Sequence, residues 1–264
     1  MTHEPHGWTA LVLAGQRPGV DPVAAHFGVE AKALIAVAGE TMLGRVLTAL
    51  ADAPQVARII VLAQNAPELL VHPDLAWAAA EPRITARVSG RTISGSVRDA
   101  IGDPAIGLPV LVTTADNVML TPATLAEFVA GAGTSDVSVA LVERSRLEAA
   151  VGPNTRTWLT FKGGAYTGAN LFALSAPAAR NALTFWEQVE QDRKSVLRLA
   201  AHFGPVLMLK LLLRRMTVHE ALAAAGARLG ASAAPVLLSD GRMGVDVDKV
   251  EDHTLAERLL AERD

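Results

Sequence analysis

The sequence contains no cysteine. That excludes disulfides, a thiolate metal site and a cysteine nucleophile, and it fits a cytoplasmic protein. It also has almost no excess charge: 24 Lys and Arg against 27 Asp and Glu leave a net charge of -3 and a pI near 6.2. A general nucleic-acid binder would need a basic surplus. No run approaches the roughly 20 apolar residues of a membrane span. The most apolar stretch, "GPVLMLKLLLRRMT" (204–217), is interrupted by Lys210 and ends in Arg214-Arg215. The start, "MTHEPHGWTA", lacks the basic region of a signal peptide. Histidines at 3, 6, 26, 72, 202, 219 and 253 form no zinc spacing. There is no G-x-S-x-G elbow, no G-x-G-x-x-G fingerprint and no P-loop. Serine-hydrolase and zinc-hydrolase chemistry are therefore disfavoured, and a soluble globular protein is expected.

Half of the 264 residues are hydrophobic and 19% are charged, enough for a sizeable core in one α/β domain spanning 1–264. Apolar runs of strand length ("WTALVLAG" 8–15, "ARIIVLAQ" 57–64, "ITARVSG" 84–90, "LPVLVTTAD" 108–116) alternate with helical patterns at 41–53, 66–79 and 94–102. Thr121-Pro122 opens another helix. "DVSVALVE" (136–143), a strand pair around 157–175, and short strands at 234–240 and 243–247 follow, before a last helix from about Lys249. Strand–helix alternation predicts a mixed, mostly parallel central sheet flanked by helices, with a helical elaboration over about 177–230.

Four places could carry chemistry. The loop after the first strand, with Ala14, Gly15, Gln16, Arg17 and Gly19, can turn backbone N–H groups toward an anion, and Lys32 can neutralise its charge. The alternatives are an ordinary turn and a solvated lysine. Asp116 ends a core strand, where a carboxylate can hold Mg²⁺ or close a turn with Asn117. In "GVDVDKVEDHTLAERLL", Asp246 and Asp248 share a face of the expected strand. Asp248 suits an N-cap with Glu251 completing a capping box, which leaves Asp246 as the metal candidate. Finally, "KGGAYTGANLFAL" places Asn170 before a strand in a glycine-rich context that tight turns also explain.

Taken in order, "LVLAG" with a following lysine, the strand ending in Asp116, "GANLFAL" and "DVDKVEDHTLAERLL" resemble nucleotidyltransferases of the GT-A-like fold. The group they most resemble is the molybdenum-cofactor guanylyltransferase-like NTP transferases. "SGRTISGSVRDAI" (89–101) is similar to methylerythritol-phosphate cytidylyltransferases. The resemblance implies a Rossmann-like GT-A-type domain that moves an NMP group from an NTP, CTP or GTP, to a small phosphorylated acceptor. It implies Mg²⁺, or Mn²⁺, on Asp116 and Asp246. Lys32 and Arg17 would stabilise the phosphates, Ala14 to Gly19 would surround them, and Ser94 and Gly95 would lie near the base. Asn170 and Lys162 would face the acceptor. Gln16 stands where such enzymes carry a small residue, and Ala31 where they carry proline before the lysine. A metal-dependent glycosyltransferase of the same fold and a catalytically silent nucleotide-binding relative are the alternatives. The helical stretch 195–230 reads either as core-packed helices with a basic edge or as an apolar wall or membrane-facing patch for a lipid-linked acceptor. At most weak, salt-sensitive association with anionic membranes is expected.

Overall fold

A computed structural model describes residues 7–16, 19–90, 92–154, 156–191 and 204–262. Its centre is an eight-stranded sheet. The strands are β1 (Trp8–Leu13), β4 (Val56–Ala63), β5 (Ile84–Val88), β6 (Val110–Thr114), β7 (Val137–Glu143), β8 (Leu159–Phe161), β9 (Gly164–Leu174) and β10 (Ala233–Leu237). A separate hairpin pairs β2 (Ala36–Val37) with β3 (Glu40–Thr41). The sheet order is β10-β7-β9-β6-β1-β4-β5, with β8 hung on β9. All neighbours are parallel except β9, which runs antiparallel to β6, β7 and β8. A mixed, mostly parallel α/β sheet is therefore what the strand–helix alternation produces.

The helices are α1 (Pro22–His26), α2 (Met42–Ala51), α3 (Ala66–Leu70), α4 (Ala76–Ala80), α5 (Ile93–Gly102), α6 (Pro122–Ala132), α7 (Arg144–Val151), α8 (Ala179–Gln191), α9 (Pro205–Leu212), α10 (Val218–Leu229) and α11 (Val250–Ala261). Strand β1 explains why they cover both faces. Ala10 and Val12 point into the larger core with Met42, Leu43, Val46 and Leu47 of α2 and Phe128 of α6. Leu11, between them, packs with Val97 and Ile101 of α5 and Leu183 of α8 on the opposite face. A strand buried on both sides reads as a continuous apolar run, which is why it was conspicuous.

Two local expectations change. The helix expected over 66–79 breaks into α3 and α4 around a 3₁₀ turn at Pro73–Leu75, because proline cannot donate within a helix. The strand expected at 243–247 is a 3₁₀ turn, Gly241–Gly244, followed by irregular chain. Gly241 lies so close to the Arg146 carbonyl and Leu147 amide that a side chain there would collide with backbone. The helical reading of 177–230 corresponds to α8, α9 and α10, with 192–203 outside the described residues. Among the described residues, no helix is long and apolar enough to cross a membrane.

Candidate functional site

Parallel pairing brings the carboxyl ends of β6, β1, β4 and β5 to one sheet edge, and the chain leaves each through a loop. In open α/β sheets ligands bind at that edge. Asp116 follows β6 by two residues. Its Oδ1 accepts from Thr114 Oγ1 at 2.5 Å and its Oδ2 from Lys32 Nζ at 2.8 Å. Lys32 reaches it from a 3₁₀ turn, Lys32–Leu34, anchored by the buried Ala33 and Ile35.

Chain after Lys32 is held from several sides. Arg45 donates to the carbonyls of Val37 (2.6 Å) and Ala38 (2.9 Å). The C-terminal helix α11 accepts from the Ala38 amide through Glu257 Oε1 at 2.7 Å, and places His253 Nε2 2.7 Å from the Ala36 carbonyl. Lys32 is thus set on a base of backbone contacts contributed by both ends of the chain.

The third charged group is Asp248, whose Oδ1 accepts from Lys32 Nζ at 2.7 Å. The cap expected from this residue does not form. Helix α11 begins at Val250 with Lys249 as its cap residue and no side-chain capping bond, which puts Asp248 one position too early. Asp252 instead accepts the Asp248 amide through Oδ2 at 3.1 Å, reaching back from the first turn. The Asp248 carboxylate is left free to meet Lys32. The Val247 amide donates to the Asp116 carbonyl at 3.4 Å, so the two aspartate-bearing segments lie side by side.

Asp246 goes elsewhere. Its carboxylate accepts from Arg156 Nη1 at 2.5 Å and from Asn170 Nδ2 at 3.1 Å, and its carbonyl from Arg156 Nη2 at 3.3 Å. Asp246 and Asp248 therefore do not act as a same-face pair, since the expected strand is absent and irregular backbone sends the two side chains to different cations. Asn170, with φ +47°, connects the two groups. Its carbonyl and that of Ala169 accept from Asn117 Nδ2 (3.5 and 3.0 Å), and Asn117 is buried directly behind Asp116.

Burial alone would push the Lys32 ammonium down. The charges of Asp116 and Asp248 and their hydrogen bonds outweigh that and raise its pKa above the ordinary lysine value of 10.5. The side chain of Lys32 is 19% exposed, that of Asp116 19% and that of Asp248 62%. The cluster is half-buried, with its open side at Asp248. Among the described residues, no group of three or more His, Cys, Asp or Glu side chains is gathered as a metal cage.

On the far side of Lys32 lies the loop after β1. Ala14 continues the ladder by donating to Leu62 at 2.9 Å. Gly15 leaves room for the Gln64 side chain, whose Oε1 accepts from the Gln16 amide at 3.2 Å. Gln16 Nε2 donates to the Glu30 carbonyl at 3.4 Å, while its buried Oε1 meets no hydrogen-bond partner among the described residues. Gly19 has φ +108°, a conformation L side chains rarely adopt. Arg17 lies outside the described residues.

At the carboxyl end of β5, Thr92 caps α5 by accepting from the Gly95 amide at 3.2 Å. Ser96 Oγ accepts from the Gly90 amide (2.9 Å) and donates to the Thr92 carbonyl (2.7 Å). A cavity of about 590 Å³ opens here, lined by Gly90, Thr92, Gly95, Ser96, Arg98, Asp99 and Glu187. Glu187 comes from α8 and is ion-paired with Arg98. Ser94 itself is fully buried.

Lys162 sits apart from the Lys32 cluster. It occupies the turn between β8 and β9 and donates its amide to the Met216 carbonyl at 2.8 Å; hydrogen bonds from Thr217 chiefly hold the nearby Glu220 carboxyl below its ordinary pKa, with the charges of Lys162 and Lys210 adding to them. Gln64, Arg156 and Asp252 carry no distinguishing signal in the sequence. Gln64 reads as the end of a strand, and Arg156 and Asp252 acquire their partners only through contacts across the fold.

A mixed, mostly parallel α/β sheet carrying a glycine-containing loop, a lysine and two carboxylates at its carboxyl edge has the build of a nucleotidyltransferase. The MobA-like NTP transferase domain matches residues 10–233, and the chain belongs to that family. A solved structure described as a hypothetical transferase from Thermus thermophilus is 29% identical, covering 94% of this chain and 99% of its own, with a TM-score of 0.77. The 4-diphosphocytidyl-2C-methyl-D-erythritol synthase of Anaerococcus prevotii is 10% identical, covering 97% of both chains, with a TM-score of 0.59. A CMP:2-keto-3-deoxy-manno-octonic acid synthetase complexed with CTP is 15% identical, covering 97% of this chain and 99% of its own, with a TM-score of 0.56. These last two share the fold. No curated protein matches the chain.

Proposed function

We propose that the protein transfers an NMP group from an NTP, CTP or GTP, to a small phosphorylated acceptor. An acceptor oxygen would attack the α-phosphorus in line, the bond to the β-phosphate oxygen would break, and pyrophosphate would leave. The observation that carries this reading is the convergence of Asp116 and Asp248 on Lys32 beside the loop after β1. Such transfer depends on positioning and on neutralising phosphate charge, and needs no covalent enzyme intermediate.

The residues present fit a divalent cation. Two carboxylates already converge around one positive charge, the Lys32 ammonium, and Mg²⁺ commonly takes one or two carboxylates with substrate phosphates completing its shell. Asp116 and Asp248 would hold Mg²⁺ or Mn²⁺. Asp248 replaces Asp246 in this assignment because Arg156 and Asn170 already engage the Asp246 carboxylate. When bound, the cation would neutralise charge on the α-phosphate.

Other residues supply binding and orientation. The Gln16 amide is held by an exposed glutamine side chain, Gln64, which a phosphate oxygen could displace by offering the same acceptor. Lys32, released from one carboxylate, would follow the negative charge onto the phosphates. The cavity at the start of α5 has room for a base beside Gly95. Asn170 would support the acceptor side through Asp246, and Lys162 is kept as a more distant acceptor contact.

Pyrophosphate release with each NTP, Mg²⁺ or Mn²⁺ and a panel of phosphorylated acceptors tests the proposal. Asp116→Ala and Asp248→Ala should each lower turnover by about 10²-fold or more, as loss of a major electrostatic stabiliser does. Near-normal release by a folded Asp116→Ala variant would remove the basis of the reading. NTP binding by calorimetry without release from any acceptor would favour a binding protein.

A further inference from the structure

The strongest feature outside the site is helix α9 and the turn behind it. Val206, Leu209, Leu212 and Leu213 are 64, 55, 79 and 50% exposed. Helical spacing stacks Val206, Leu209 and Leu213 in one row with Leu212 alongside, while Leu207 on the opposite face is buried. Lys210, Arg214 and Arg215 are exposed beside that row, and no acidic residue lies between 204 and 217. A chain of net charge -3 thus gathers three of its cations around three exposed leucines.

The turn is firmly built. The Leu213 and Arg215 amides donate to the carbonyls of Leu209 and Lys210, both at 2.9 Å. Arg214 takes φ +51°, the left-handed conformation that usually falls to glycine at a helix end. Arg214 thus follows the apolar row directly, at a position where glycine would be the easier choice.

Topology fixes where this face points. Strand β10 is parallel to β7, and α10 runs back before it, so the start of α10 at Val218 lies at the sheet's carboxyl edge. The Lys162–Met216 bond ties the β8–β9 turn to the same place. Helix α9 immediately precedes that point and so flanks the edge that carries Asp116.

We propose that the segment Val206 to Arg215 docks the protein on an anionic bilayer surface. Leucines can enter the headgroup boundary while the cations meet lipid phosphates. The charge pattern argues against a second copy of this chain as the occupant, since symmetry would bring Lys210, Arg214 and Arg215 against their own counterparts. Docking by this face would turn the carboxyl edge of the sheet toward the headgroups.

Co-sedimentation of the full chain with vesicles of phosphatidylglycerol and phosphatidylcholine, and of phosphatidylcholine alone, tests this without reference to turnover. Preferential binding to the anionic vesicles is expected, weakening in high salt. Leu209→Glu with Leu212→Glu should abolish it, and Lys210→Gln with Arg214→Gln and Arg215→Gln should reduce partitioning by about 10²-fold at low salt. Circular dichroism would confirm that these surface variants fold. Absence of binding, equal binding to both vesicle types, or folded variants that bind like the parent would overturn the proposal. So would sedimentation equilibrium showing a dimer that the leucine variant dissociates.

Discussion

Replacing Lys32 with methionine removes a cation that Asp116 and Asp248 share. At a charge separation near 4 Å and an effective dielectric of about 20, one such pair attracts by about 4 kcal/mol before costs. The Asp248 leg is 62% exposed, so solvent screening limits it to at most about 1 kcal/mol. The Asp116 leg joins two side chains each 19% exposed, and their desolvation cancels much of the attraction. The net loss should be about 1–3 kcal/mol, or about 2–10 °C in Tm for a chain of this size. Because the folded Lys32 pKa is raised above 10.5, this stabilisation is fully present below pH 10.5 and is lost as pH rises through the raised value. Thermal melting at neutral pH, with a double-mutant cycle adding Asp116→Asn, reads the coupling directly. Mg²⁺ should raise the Tm of Lys32→Met more than that of the parent, since the variant leaves two carboxylates without their cation. A variant that melts with the parent, with coupling below about 0.3 kcal/mol, would refute the ion-pair account.

The two late aspartates should separate cleanly. Asp246→Asn deprives Arg156 of the nearer of its two carboxylate partners, leaving Asp252 at 3.8 Å, and should cost about 1–3 kcal/mol in melting experiments. Asp248→Asn should lower pyrophosphate release by about 10²-fold while changing stability by no more than about 1 kcal/mol; the opposite pattern would return the metal to Asp246. Gly241→Ala drives a methyl group into the Arg146–Leu147 backbone and should destabilise by about 1–3 kcal/mol or more, and an unchanged Tm would show that this turn yields easily.

The sequence alone determined the order of the main strands β1, β4, β5 and β6 and of helices α2 and α5 between them, but not α1, the hairpin β2–β3 or the break between α3 and α4. Buried parallel strands such as β1 and β6 announce themselves as apolar runs, and Thr121 caps α6 as its hydroxyl and following proline foretold. It also singled out Lys32 and Asp116, because each stands just outside such a run. Tertiary structure decided which groups meet. Asp246 and Asp248 look equivalent two residues apart, yet one faces Arg156 from 90 residues away and the other Lys32 from 216 away. Local patterning carries no information about partners that distant in the chain. The absence of a strand at 243–247 removed the alternation from which their shared face was inferred, and a one-residue shift in the start of α11 released Asp248 from capping. Side-chain assignment at this site followed from how the sheet edge, the hairpin after Lys32 and the last helix pack together.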